Sequence, residues 1–188
     1  MRWRRAALAL VAAAGLAACS SPGPSVPSMT TVAQVDLAKY AGRWYEVARY
    51  PNRFQAQCAS DVTATYALRP DGTVGVTNAC RRGDGSTDVA EGVARIVDPA
   101  TNARLEVRFA PAALSWLPAV WGDYWVLALD PAYRYALIGE PSREYLWVLS
   151  RAPSLAADDE AVLMAAARRA GYDPLRLVRT PHERAAPR

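Results

Sequence analysis

The side chains that could do chemistry are few and scattered. A single histidine, His182, stands near the C-terminal end in a polar stretch, residues 180–188, that is expected to be a loose tail. A nucleophile–histidine pair in a folded core is therefore excluded, whether built on Ser or on Cys. Cys19, Cys58 and Cys80 have no zinc-ligand spacing, and the chain has neither a P-loop nor a Gly-x-Gly-x-x-Gly run. The carboxylate run Asp158-Asp159-Glu160 opens a helical pattern, where the helix dipole favours anions, and reads as a solvated helix start. Glu46 is the more interesting acid, although alternation along a curved strand leaves its direction open. No catalytic residue, metal ligand or cofactor site emerges, and the chain reads as a non-enzyme.

Residues 1–18 stand apart from the rest. Arg2, Arg4 and Arg5 precede an apolar run over residues 6–18, which is too short to span a bilayer and has the form of a signal peptide. Leu16-Ala17-Ala18-Cys19 resembles the lipobox of bacterial lipoproteins, which implies that Cys19 carries a lipid anchor such as palmitate and becomes the N-terminus. Ser20, rather than Asp, after that cysteine resembles lipoproteins released to the outer membrane, where the domain would face the periplasm. With Cys19 lipidated, Cys58 and Cys80 remain as an even pair in an oxidising compartment, where a disulfide is expected.

Charge follows the same division. The chain has 22 Lys and Arg against 18 Asp and Glu, but three of the arginines leave with the signal. The remainder is close to neutral, so the basic balance is a targeting feature and implies no nucleic-acid partner.

The elements that must position these residues are mostly strands. Residues 19–35 begin Ser- and Pro-rich and read as a lipidated N-terminus and flexible tether, 36–180 as one domain, and 181–188 as a polar tail. From Trp44 onward, short β-like runs alternate with turn signals. In residues 61–69, Val62, Ala64, Tyr66 and Leu68 fall on one face, and Pro70-Asp71-Gly72 then forms a turn. Further runs are expected at 73–81, 87–97, 104–109, 123–129, 134–139 and 144–150. Eight such runs form a meander, either a barrel or a sandwich. A helix follows over about residues 158–170, with Val162, Leu163, Ala166 and Ala170 as its apolar stripe and Gly171 as its stop. Residues 175–179 suit a short last strand.

Gly42-Arg43-Trp44-Tyr45-Glu46 resembles the Gly-x-Trp opening of the lipocalin family. Gly122-Asp123-Tyr124-Trp125-Val126-Leu127, Tyr135-Ala136-Leu137-Ile138-Gly139-Glu140-Pro141 and Tyr145-Leu146-Trp147-Val148-Leu149-Ser150-Arg151 follow in order and at matching spacing. Together they are similar to the bacterial outer-membrane lipoprotein and temperature-induced types of that family, from about Leu37 to Val178. The resemblance implies an all-β fold: an eight-stranded up-and-down antiparallel barrel with one C-terminal α-helix packed outside. One motif departs from the family. Where many members carry Thr-Asp-Tyr, this chain has Leu129-Asp130-Pro131-Ala132-Tyr133; Asp130 is retained, while the tyrosine is displaced by two positions.

In an up-and-down barrel every second loop lies at the same end. Trp44, Asp130 and Arg151 therefore share one pole with Gly42. The resemblance implies that this pole is closed and that Arg151 stacks on Trp44. The loops 51–57, 82–86, 110–121 and 140–143 form the opposite mouth. Cys58 and Cys80 fall near it on adjacent strands, about three residues out of register, so a bridge requires a bulge. The loop 110–121 is rich in large apolar side chains and either packs on itself or forms a portal that touches membrane or a second copy of the chain, which leaves a homodimer open.

Phe54, Tyr66, Phe109, Trp116, Trp121, Trp125 and Tyr145 are the candidates for a cavity and its portal, and Arg53, Arg82 and Arg143 either for holding an acidic headgroup or for standing as solvated rim charges. The leading functional reading is a binder, store or transporter of fatty acids or lysophospholipids. A structural or stress-related lipoprotein with a filled barrel and a lipocalin-type enzyme are the alternatives.

Overall fold

The computed structural model describes residues 29–183. The signal peptide, Cys19 and residues 184–188 lie outside the described residues.

A short helix, α1 (Leu37–Tyr40), leads into β1 (Gly42–Arg49). Then follow β2 (Cys58–Leu68), β3 (Val74–Arg82), β4 (Thr87–Ile96), β5 (Arg104–Arg108), β6 (Gly122–Leu129), β7 (Tyr135–Gly139) and β8 (Leu146–Ser150). Each strand pairs antiparallel with the next, and β1 pairs with both β8 and β2, so eight strands close into a barrel. Helix α2 (Ala157–Arg169) and a two-residue strand, β9 (Val178–Arg179), follow, with β9 added to β1.

Two apolar clusters hold this arrangement. Inside the barrel, Trp44, Tyr66, Val76, Leu105, Val126 and Ile138 pack above α1. Outside it, Val47, Leu137, Leu146 and Val148 pack against α2 through Leu163, Ala166, Ala167 and Ala170. That helical stripe has the i, i+3, i+4, i+7 spacing of a single face. Val162, expected in it, is half exposed because it lies one step round the helix. All five residues of β7 are buried, since one face looks into the barrel and the other meets α2.

The disulfide joins Cys58 to Cys80 with Cα atoms 5.6 Å apart. The register mismatch is absorbed by irregularities in β2 between Cys58 and Ser60 and between Ser60 and Thr63, next to Asp61, which takes a left-handed φ of 54°.

Four local expectations are corrected. Strand β8 begins at Leu146 rather than 144, because the Glu140 carboxylate accepts the backbone N–H groups of Glu144 and Tyr145. Residues 174–176 form a 3₁₀ turn capped by Asp173, which shortens the last strand. The end of the tether is docked, with Val35 buried and its N–H bonded to the Thr101 carbonyl. Residues 180–183 are not loose. The Thr180 N–H bonds the Val47 carbonyl, the Pro181 carbonyl accepts from Asp61 N–H, and His182 Nε2 sits 2.8 Å from the Glu46 carbonyl. This segment fills the gap where β1 and β2 diverge beyond Tyr45 and Thr63.

Candidate functional site: a barrel cavity closed at one pole

Trp44 lies at the closed pole with no exposed surface. Its indole N–H donates to the Tyr40 carbonyl at 2.8 Å, and the Arg151 guanidinium lies 4.0 Å from its ring centroid. Arg151 also donates to the carbonyls of Arg43, Lys39, Tyr40 and Ala41, tying α1 to the barrel. Gly42 is required here. Its φ is +93°, and a Cβ would lie 3.4 Å from Arg151 Nη1.

Asp130 is buried at the same pole, where hydrogen bonds from the Arg134 side chain hold its carboxyl below the usual range. Arg134 reaches on to Asp159 at the start of α2. The displaced Tyr133 still has a role: its hydroxyl accepts the Asp36 N–H and anchors the start of α1.

At the other pole the barrel opens into a cavity of about 700 Å³. Phe54, Tyr66, Phe109, Trp121 and Tyr145 are among its lining residues. Trp116 and Trp125 are not. Trp116 stands 74% exposed on the mouth loop. Trp125 points outward under the Arg104 guanidinium, 4.5 Å from its ring centroid, while its neighbours Tyr124 and Val126 face in. Trp121 is held at the rim by Arg95 over its ring and by an indole N–H bond to the Ser115 carbonyl.

The charge pattern of the wall reverses the headgroup expectation. Glu46, Asp88, Asp123 and Glu140 line the cavity, and no Lys or Arg is among its lining residues. Arg82 is committed to Asp88 at 2.7 Å, and Arg143 donates to the Ala170 carbonyl at the end of α2. Arg53 is exposed on the turn after β1 and does not line the cavity.

Glu46 does point inward. It is bonded to Arg49 at 2.9 Å, Gln55 at 2.7 Å and Thr180 at 2.6 Å. Gln55 in turn accepts the Trp147 indole N–H, so Trp147 stacks beside Tyr145 on the wall. Sequence reasoning missed Trp147, Gln55 and Tyr124. Only Trp147 had a usable signal, its period-2 alternation with Tyr145 and Leu149.

A family model described as a lipocalin-like domain matches residues 35–182. The chain belongs to the lipocalin family. It is 43% identical to temperature-induced lipocalin-1 of Arabidopsis thaliana over 161 residues, covering 85% of this chain and 86% of that protein. It is 41% identical to the outer membrane lipoprotein Blc of Escherichia coli K12 over 171 residues, covering 88% and 92%. Among solved structures, insecticyanin of the tobacco hornworm Manduca sexta superposes with a TM-score of 0.65 at 20% identity, covering 85% of this chain and 87% of that one. In this lipocalin Gly42, Trp44 and Arg151 tie the barrel to α1, whereas Asp130 holds the β6–β7 turn and, through Arg134, reaches α2.

Proposed function

We propose that this lipocalin is a lipid-anchored, non-enzymatic carrier that binds one long-chain amphiphile, a fatty acid or lysophospholipid, in its barrel. The open cavity of about 700 Å³ carries this reading. That volume is in the range of pockets that bury most of a small ligand, roughly 300–1,000 Å³. Its aromatic and aliphatic wall offers burial rather than chemistry, and the space argues against a filled barrel. Catalysis has little support. His182 is engaged with the Glu46 carbonyl and edge-on to Tyr45, and both thiols of the barrel are oxidised.

Affinity for saturated fatty acids and lysophospholipids should rise by roughly fourfold per added methylene until the cavity is full, at about 0.8 kcal/mol each before ordering costs. Trp121 and Trp147 line the cavity, so tryptophan fluorescence reports the titration directly. Affinity indifferent to chain length would sink the reading. Extraction of lipid copurifying with the protein tests the filled-barrel alternative independently.

The lipobox, and similarity to a lipoprotein of the outer membrane, support anchoring there through Cys19 with the domain facing the periplasm. Cys19→Ala should move the protein from the outer-membrane to the soluble fraction, or leave it unprocessed. Unchanged acylation and fractionation would end that assignment.

A further inference from the structure

Tyr40, Tyr66 and Tyr124 come together where the main cavity, lined by Tyr66 and Tyr124, borders a small apolar space lined by all three. The Tyr124 hydroxyl lies 2.7 Å from that of Tyr40 and 2.9 Å from that of Tyr66. Three phenols bring three O–H donors, and these two contacts use two of them. Burial pushes all three phenols above their ordinary range, Tyr66 to about 12, so each keeps its proton at neutral pH. No other acceptor among the described residues bonds these hydroxyls. One O–H donor is left without a protein acceptor.

The direction in which that donor can be satisfied is set by the walls. Tyr66 and Tyr124 both line the main cavity together with the apolar Val76, Val107 and Leu149, and the one charge of the wall that acts on Tyr66 is the Glu46 carboxylate, which repels an anion. The nearest guanidinium, Arg151, is spent on Trp44 and four backbone carbonyls at the closed pole. A carboxylate driven to the floor would lose its hydration without gaining a cation. A neutral oxygen meets no such penalty. A hydroxyl there can accept the leftover O–H and donate to a phenol oxygen, and a carbonyl can accept it.

We propose that the tyrosine floor is a recognition site for a neutral oxygen at the deep end of the ligand. The preferred ligands are then acyl amphiphiles bearing a hydroxyl or keto group at the end remote from the headgroup. This rests on the proposed binding of acyl amphiphiles in the same cavity and narrows the ligand class.

The test is a fluorescence titration of the delipidated mature protein with hexadecanoate and with its ω-hydroxy derivative. The hydroxy acid should bind roughly threefold to tenfold more tightly, the worth of one net hydrogen bond. In an apolar floor without a partner the same hydroxyl would weaken binding. In the Tyr66→Phe/Tyr124→Phe double variant, which removes both hydroxyls on the cavity wall, the ratio of the two affinities should fall to one or below, whatever its affinity for hexadecanoate. A wild-type protein that binds the hydroxy acid no more tightly than hexadecanoate overturns the inference, as does a double variant that retains the preference. The wild-type comparison decides even if the double variant fails to fold. Binding of both ligands without preference removes this inference alone, whereas binding of neither removes the cavity reading and the inference with it.

Discussion

Trp44→Ala should lower the unfolding free energy by about 3–5 kcal/mol, the cost of emptying a fully buried aromatic site. Trp44 is wholly enclosed, packs 4.8 Å from the Tyr40 ring and carries the Arg151 guanidinium on its other contacts. Truncation therefore removes the platform on which Arg151 is held as it gathers the carbonyls of α1. Arg151→Lys should cost less, because an ammonium keeps the charge but loses the planar stack and the forked donors. Urea unfolding of both variants measures the difference. A loss below about 1 kcal/mol for Trp44→Ala would be incompatible with a tightly packed closed pole.

Arg49→Met should be comparably damaging, at about 3–5 kcal/mol, by leaving a buried carboxylate without its cation. The side chains of Glu46 and Arg49 are 3% and 12% exposed, so solvent cannot take over the lost partner. Arg49 also donates to the Thr180 hydroxyl, and Thr180 to Glu46, which ties the C-terminal segment to β1. Replacing both partners, Glu46→Met with Arg49→Met, should recover much of the loss, because no unpaired charge then remains. If the double variant is as unstable as Arg49→Met in denaturant melts, the ion pair is not the source of the effect.

Much of the architecture was legible before any coordinates. Turn residues at 70–72, 98–99, 130–131 and 140–142 divide the chain into strands of barrel length, and alternation of direction then sorts the loops between two poles. That parity brings Trp44, Asp130 and Arg151 together without reference to side-chain packing. The Cys58–Cys80 bridge was expected from the even pair left once Cys19 is set aside, and the irregularity in β2 that it requires from counting residues across one hairpin.

The cavity was only partly legible. Trp125 was chosen and Tyr124 passed over because β6 is apolar on both faces. Hydrophobic periodicity tells inside from outside only where one face meets water. Here the outer face is covered by Arg104 on Trp125 and by the packing of Leu127 toward α2. The headgroup arginines were misread for a related reason. Arg82 and Arg143 sit in mouth loops by sequence, but Asp88 and the Ala170 carbonyl capture them, and such partners are invisible in a linear chain.

Turn chemistry, period and cysteine counting, which are local properties, gave the strand runs, the helix and the disulfide, while the barrel, its poles and the outer place of the helix came from the resemblance of the motifs to the lipocalin family. Only the tertiary structure decided which aromatic rings face the cavity, where Glu46 points, and that residues 180–183 close the gap beside β1. It alone brought Tyr40, Tyr66 and Tyr124 together. Those outcomes depend on which distant groups meet when the barrel closes, and contacts across a closed sheet carry no periodic or spacing signal along the chain.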